Sequence, residues 1–548
     1  MISSISVENF KAFGKKQKLP IKPITLIYGP NSSGKSSIIH SLLFAQHVLQ
    51  TGNLDVFRPK GGGQSVDLGG FKQYIFKGNT DNLFTWSVEI DVAQLDSDLL
   101  SFLSPAQNLG ISVSVRLPKK EISPGEYDSA ENPIVSSFFV NADGEDLFSM
   151  GARKDNLLRI ERLNQKHPVF KNIFKSIIEV STTLQNILPE DYEALNEGIS
   201  KILPKMEFVC EKFFPHSKLK SERDTVFYES SLIPVSRGDR KESIISTIEL
   251  ILPHKIALFL KDLYSQVNGY FENLAYLGPL RSYPTRHHIF SESEDHNWFA
   301  GGGFAWEVLR KDKQVRDKVN KWLGDKNKLQ TPYNLMLENY YKRDKFYDHI
   351  SDGLVDLETY IANPPENQPF EDIVSKGAEY IEERLATHVY TEPSFTELIL
   401  FDLRTSTEVS HRDVGIGISQ IIPVLVNAYA NHQKLIAIEQ PEIHIHPGLQ
   451  SELGDLFIES ALGEEKNTFI IETHSEHLLL RIMKRMRQTA NGELPDGMNP
   501  ITPADISVVY IEPLKNQSII RQMPLNKFGE LVKAWPGGFF EEGLREVF

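Results

Sequence analysis

A short apolar run, Ile24, Leu26, Ile27 and Tyr28, ends directly in Gly29-Pro30-Asn31-Ser32-Ser33-Gly34-Lys35-Ser36-Ser37, and apolar residues resume at Ile38-Ile39 and continue through Leu42, Leu43 and Phe44. That order predicts a strand, a glycine-bounded loop and a helix, and it restricts the fold more sharply than anything else in the chain. Glycine lets such a loop curl into a nest whose N–H groups face phosphate oxygens, and the helix N-terminus adds the positive end of its dipole. The spacing is that of a P-loop. On that reading Asn31, Ser32, Ser33, Gly34, Lys35, Ser36 and Ser37 bind the phosphates of ATP, with Lys35 reaching the β and γ phosphates and the Ser36 hydroxyl holding Mg²⁺. A glycine turn with a solvated lysine is the alternative, and the flanking strand and helix weigh against it.

Residues able to complete the site lie toward the other end of the chain. Leu435-Ile436-Ala437-Ile438 is a continuous apolar run of the kind buried on both faces of a parallel sheet, and it ends in Glu439-Gln440-Pro441-Glu442. A carboxylate at the carboxyl end of such a strand orients Mg²⁺ in P-loop proteins, which pairs Glu439 with Ser36 as metal ligands. A second buried run, Thr468-Phe469-Ile470-Ile471, delivers Glu472-Thr473-His474-Ser475. There the His474 imidazole either bonds a γ phosphate or attacking water, or merely caps the strand. Asp413-Val414-Gly415-Ile416-Gly417-Ile418-Ser419-Gln420 opens a helix-like stretch reaching Asn431, with Pro423 expected in its first turn. Gly415, Gly417, Ser419 and Gln420 form either an anion-seeking turn or an ordinary helix cap.

Taken in order, these segments resemble the ABC-type ATPases related to SMC, RecF and the overcoming-lysogenization-defect (OLD) proteins. Ile5-Ser6-Val7-Glu8-Asn9-Phe10-Lys11-Ala12-Phe13 is similar to the first strand and turn of that class. The resemblance implies an α/β ABC-type P-loop ATPase with two lobes and helical insertions. It also implies a head-to-tail homodimer or higher oligomer around two ATP·Mg²⁺, with Gly415, Gly417, Ser419 and Gln420 as a signature motif acting in trans. Tyr276-Leu277-Gly278-Pro279-Leu280-Arg281 and Trp535-Pro536-Gly537-Gly538-Phe539-Phe540-Glu541-Glu542 resemble a narrower branch, which includes the ATPase subunit of Septu-type antiphage systems and retron-associated forms. That branch implies an HNH nuclease partner and, beside a retron, a reverse transcriptase and retron DNA. The stretch after His474 is too short for the appended nuclease domain of OLD proteins.

In most ABC-type ATPases the strand carrying the metal carboxylate ends in Asp-Glu-Pro, where this chain has Glu439, Gln440 and Pro441. A carboxamide cannot take a proton at neutral pH, and loss of a positioned general base costs about 10² to 10⁴ in rate. Slow hydrolysis is expected unless Glu442 supplies the carboxylate, so Glu442, His474 and Gln440 form the candidate catalytic set. His444 and His446 have a metal-ligand spacing, but their alternation with Ile443 and Ile445 favours a turn beside the nucleotide. Gln64 and Gln73, near Gly61-Gly62-Gly63, read equally as a Q-loop or an ordinary loop. Arg281 and Arg286 either neutralise phosphate across a subunit boundary or form surface salt bridges.

The 548 residues leave room for about three or four domains. The expected division is an ATPase lobe at 1–95, a mixed strand and helical insertion at 96–270, a return to the core at 271–290, a helical insertion at 291–394 and the second lobe at 395–548. Alternation at Phe84, Trp86, Val88, Ile90 and Val92, and at Ile111, Val113, Val115 and Leu117, predicts half-buried strands. Helical periodicity is read over 157–210, 243–273 and 301–341, without heptads long enough for a coiled coil.

No apolar run approaches the roughly 18 to 20 residues of a membrane span, and Met1 does not open a secretory signal. Cys210 alone cannot form an internal disulfide, which fits a reducing cytoplasm. A net charge of -14 disfavours general wrapping of nucleic acid. Two basic runs nevertheless remain candidates for phosphate, one at 310–328 and one comprising Arg481, Lys484, Arg485 and Arg487, with a solvated helix face as the alternative. A RecF-like DNA-binding repair protein is the main rival function. A transporter subunit is disfavoured by the insertions.

Overall fold

The computed structural model describes residues 2–123, 126–129, 132–153, 155–181, 187–217, 239–281, 297–326, 328–340, 395–409 and 416–540, with scattered positions between 351 and 379. It is an α/β architecture in which two sheets position the site. The first runs in the order Ala275–Leu277, Leu435–Glu439, Thr468–Glu472, Ile24–Tyr28, Ile506–Leu514 and Gln517–Gln522. Its first five strands are parallel and the last antiparallel. Leu435–Glu439, Thr468–Glu472 and Ile24–Tyr28 are buried along their whole length, which is why they read as unbroken apolar runs. Register sets Glu439 beside Glu472 and Glu472 beside Ile27. Both carboxylates therefore leave the carboxyl edge of the sheet next to the Gly29 loop, where open α/β sheets bind ligands.

The second sheet is antiparallel: Phe214–Ser217, Glu207–Glu211, Leu158–Leu163, Glu145–Ala152, Ile134–Ala142, Asn108–Arg116, Phe84–Asp91, Ile2–Glu8 and Gln17–Pro20. It continues across residue 95, so strands expected in an insertion extend the sheet that Ile2–Glu8 begins. The helix Lys35–Thr51 buries Ile38, Leu42, Phe44 and Val48, and the Phe44 ring meets Phe10, Tyr74, Phe84 and Phe213. The middle of this helix is thereby anchored in an aromatic core.

The helical periodicity on both sides of Pro253 belongs to one helix, Arg240–Glu272. An interior proline costs about 3 kcal/mol. Burying Ile248, Leu252, Ile256, Phe259 and Leu260, at roughly 1.5–3 kcal/mol each, outweighs that cost. By length and composition this helix could cross a membrane, but here its apolar face packs into the protein core. Helix Ile416–Ala430 likewise carries Pro423 near its middle, not in its first turn as expected, with the proline ring packed at Gly302. The region read as helical over 157–210 splits into Leu158–Leu163, helices Pro168–Ser181 and Pro189–Ile202, and Glu207–Glu211. In the 301–341 stretch, helices Gly303–Lys311 and Lys313–Gly324 give way to a strand, Tyr333–Tyr340, which pairs with Phe395–Asp402. Near the other end of the chain, Trp535 and Phe540 pack their rings on Tyr28, and Phe539 packs on Tyr510.

Candidate active site

Two glycines bound the loop in conformations that favour glycine, Gly29 at φ +151° and Gly34 at φ +96°. A Cβ on Gly34 would stand 2.6 Å from the Ala12 Cβ, and one on Gly29 2.7 Å from the Ile511 carbonyl oxygen. The first turn of helix Lys35–Thr51 carries no acidic residue, leaving its positive end to an anion. Above it lies a cavity of about 390 Å³, lined by Asn31, Ser32, Gly34, Lys35, Ser36 and Ser37, by Lys11, Ala12 and His40, and by Gln440 and Glu472. Ser33, the remaining loop residue of the predicted set, is buried, and its N–H donates to the Pro30 carbonyl.

Lys35 Nζ donates to the carbonyls of Gly29 (3.1 Å) and Pro30 (3.0 Å) and lies 3.8 Å from Glu472 Oε1. The Ser36 hydroxyl donates to Glu472 Oε2 at 2.7 Å. The carboxylate in contact with Ser36 is thus Glu472, which sequence reasoning passed over in favour of His474. Glu439, the predicted metal partner of Ser36, accepts from the Tyr276 hydroxyl at 3.0 Å and faces His40 Nε2 at 3.7 Å. A usable signal was present, since both buried runs end in glutamate and parallel register makes such ends neighbours.

Burial dominates the electrostatics. It raises Glu439, with repulsion from Glu472 adding, to a pKa of about 7. It raises Glu472 against the opposing hydrogen bond of Ser36 and charge of Lys35, and it also raises Glu442. Burial lowers Lys35 despite its three carboxylate neighbours. Lys35 is joined near these carboxylates by Lys11 and Arg281, whose charges act on Glu439 and Glu442. The oxygen donors of Ser36, Glu472 and Glu439 are the hard ligands that suit Mg²⁺.

Gln440 adopts φ +45°, and its N–H donates to the Glu472 carbonyl at 2.8 Å, fixing the end of one strand to the next at the cavity wall. Glu442 is not poised as a substitute base. Its Oε2 accepts from the Thr473 hydroxyl and its Oε1 from the His474 N–H, both at 2.7 Å, so the carboxylate braces the turn that presents His474. His474 has a buried Nε2 without a hydrogen-bond partner, and burial followed by the charge of Lys35 lowers its pKa, keeping the ring neutral.

The signature segment departs from expectation. Gly415 lies outside the described residues, Gly417 abuts the His444 carbonyl, and the side chains of Ser419 and Gln420 are buried within their own chain. The described residues of this turn that reach the surface are Ile416, Gly417 and Ile418. Arg281 is not in a surface salt bridge. It is 5% exposed and donates to the carbonyls of Gln420 (3.1 Å), Glu439 (3.1 Å) and Gln440 (3.2 Å), while the Gln420 amide donates back to the Arg281 carbonyl. Arg286 lies outside the described residues.

The basic candidates change too. Arg481 pairs with Glu452 and Asp455, and Arg485 with Asp455 through two bonds of 2.7 Å, leaving Lys484 and Arg487 exposed on that helix. Two of the four candidates in this run, Arg481 and Arg485, are therefore in internal ion pairs. In the other run, Lys318 and Lys328 pair with Glu465 and Glu459. The ring of His446 caps a short helix through the Gly448 N–H. Gln64 bonds through its backbone to Asn297, and Gln73 packs beside Gly69, so neither lines the cavity. Burial raises the Cys210 thiol pKa, which makes it unreactive.

A family model described as an AAA ATPase domain matches residues 1–479. Among solved structures, the SMC head domain from Thermotoga maritima is similar at 9% identity and a TM-score of 0.32, covering 96% of this chain and 99% of that one. The Pyrococcus furiosus Smc head domain with an extended coiled coil, bound to the C-terminal domain of ScpA, is similar at 10% and 0.34, covering 100% and 98%. The Smc head domain with a coiled coil and joint from Pyrococcus yayanosii is similar at 11% and 0.35, covering 96% and 97%. No curated protein matches the chain.

Proposed function

The chain belongs to the AAA ATPase domain family, and we propose that it binds ATP with Mg²⁺ over the Gly29–Ser37 loop, hydrolyses it slowly, and uses the bound state to close a cytoplasmic homodimer that restrains or licenses an HNH nuclease in antiphage defence. One observation carries the nucleotide reading: the loop, Lys35, Ser36, Glu472 and Gln440 share one cavity at the helix N-terminus. Loop N–H groups and Lys35 would grip phosphate, while Ser36 with Glu472 and Glu439 would hold the metal, which would supply positive charge against the phosphates. Gln440 orients water without taking its proton, which makes turnover slow. The defence role rests on the sequence resemblance alone. Copurification of an HNH protein supports it, and an ATP-dependent DNA complex without a nuclease favours a RecF-like role instead.

Lys35→Met weakens ATP binding by about 100-fold in a fluorescent-nucleotide titration, because two or more charge-assisted phosphate contacts vanish. The parent is expected to double in mass by light scattering when ATP is added, and this variant is not. A parent protein whose mass ignores saturating ATP overturns the dimer.

Mg²⁺ affinity rises with pH up to about 7 and then levels. Glu439 is protonated below its raised pKa of about 7 and must release that proton to serve as a ligand. Calorimetric titration of Mg²⁺ across pH 5.5 to 8.5 reads this as a slope of about one proton per metal below the break. A flat parent profile, or an unchanged slope in Glu439→Gln, removes Glu439 from the metal site.

A further inference from the structure

The segment Trp535-Pro536-Gly537-Gly538-Phe539-Phe540 folds as a proline-glycine turn. The Gly538 N–H donates to the Trp535 carbonyl at 3.2 Å, and Gly537 takes the positive φ, +67°, that such a turn requires at its third position. The chain thereby doubles back, and the rings of Trp535, Phe539 and Phe540 converge with centroids 4.7 to 6.0 Å apart. Tyr28 and Tyr510, paired across adjacent parallel strands, carry this cluster. Trp535 and Phe540 meet the Tyr28 ring edge-on, each at 5.5 Å, and Trp535 and Phe539 meet Tyr510 at 5.9 and 5.2 Å.

Tyr28 is fully buried and immediately precedes Gly29 of the phosphate loop. Burial raises its pKa well above the ordinary value, with the charges of Glu442 and Glu476 adding, so the hydroxyl keeps its proton. It donates to the Ser475 carbonyl at 3.1 Å. One residue earlier in the same strand, the Ile27 carbonyl accepts from the Thr473 N–H, also at 3.1 Å. His474 lies between these two bonds, and both come from the strand that ends in the loop. The aromatic cluster fixes the phenol ring, and the ring fixes where its hydroxyl reaches.

We propose that Tyr28 and Trp535 are positioning residues of the ATP site: the aromatic cluster holds Tyr28, Tyr28 holds the Ser475 carbonyl, and together they set where His474 stands relative to the phosphate loop. This rests on the hydrolysis reading above and extends it to two residues that do not line the cavity. Lys35 and the loop N–H groups keep their own contacts when this chain of contacts is broken, so nucleotide affinity and the rate of chemistry come apart. The rate depends on the cluster, and the affinity does not.

The test is a double-mutant cycle read by single-turnover hydrolysis and by titration of a fluorescent ATP analogue. Tyr28→Phe keeps the ring in its cage and removes only the hydroxyl. It is expected to slow hydrolysis about tenfold while affinity stays within about twofold of the parent. Trp535→Leu, which keeps an apolar side chain but offers no ring edge, reproduces that loss, and Trp535→Phe recovers most of it. His474→Ala alone slows hydrolysis about 10²-fold. Because Tyr28 acts through His474, the double variant Tyr28→Phe/His474→Ala is no slower than His474→Ala. Tyr28→Phe hydrolysing like the parent, additive losses in the double variant, or His474→Ala keeping the parent rate overturns the proposal. Affinity falling in step with rate in Tyr28→Phe marks a general role in folding the site and overturns it as well. Trp535→Leu at the parent rate, or Trp535→Phe as slow as Trp535→Leu, overturns it for Trp535. A parent protein that binds no ATP overturns both this inference and the nucleotide reading, and one that binds ATP without hydrolysing it overturns this inference and the hydrolysis reading but spares nucleotide binding. Hydrolysis that His474→Ala slows and Tyr28→Phe does not overturns this inference alone.

Discussion

Gln440→Glu is expected to raise the single-turnover rate of ATP hydrolysis by about 10² to 10⁴-fold. The residue lines the phosphate cavity, and its backbone is fixed by the bond from its N–H to the Glu472 carbonyl, so the substitution exchanges an amide for a carboxylate with little freedom to move elsewhere. Among the described residues the neighbouring carboxylates are otherwise engaged: Glu442 accepts from Thr473 and His474, Glu472 from Ser36, and Glu439 from Tyr276. Rapid-quench measurement with enzyme in excess over ATP isolates the chemical step from product release. A rate within about threefold of the parent would end the account of Gln440 as the brake on turnover.

Arg281→Met is expected to destabilise the fold by about 3 kcal/mol or more, the sum of several buried acceptors left without donors. The guanidinium joins three carbonyls from two elements, Gln420 in the helix Ile416–Ala430 and Glu439 and Gln440 at the end of Leu435–Glu439. Burial lowers its pKa to about 10, so it remains charged at neutral pH, where the nearby Glu442 charge also favours it. Urea unfolding followed by tryptophan fluorescence reads the loss as a lower midpoint. Arg281→Lys recovers little, because a single ammonium cannot span the carbonyl set that the planar fork reaches. A loss below about 1 kcal/mol would mean that water replaces the arginine at no cost.

Legibility followed the locality of the signal. The strand, loop and helix around Lys35 are contiguous, so their chemistry stood in the sequence. The end of the strand Leu435–Glu439 was equally plain, because a strand buried on both faces must be apolar throughout and its first carboxylate marks the edge of the sheet. Glu472 carries the same mark, yet His474 drew the attention, and only the pairing register shows the carboxylate touching Ser36. Lys11 read as part of a turn because nothing in Asn9-Phe10-Lys11-Ala12-Phe13 tells which way the turn points. Arg481 and Arg485 looked like a surface for phosphate because Glu452 and Asp455 lie on another helix, invisible to any local charge count. Pro423 suggested a first turn, and it lies near the middle of its helix among buried apolar residues.

The strand Ile24–Tyr28 has its two neighbours in Thr468–Glu472 and Ile506–Leu514, and its terminal tyrosine packs against Trp535 and Phe540. The strand that carries the phosphate loop is synthesised long before either of these neighbours, so its native pairing requires closure of a very long loop. Until then an apolar strand edge waits exposed, the sort of intermediate on which chaperones act and from which aggregates grow. Nucleotide competence in a cell is consequently tied to translation beyond Ile506–Leu514, and a ribosome stalled before Thr468–Glu472 yields a polypeptide that carries the loop sequence without Glu472 beside it.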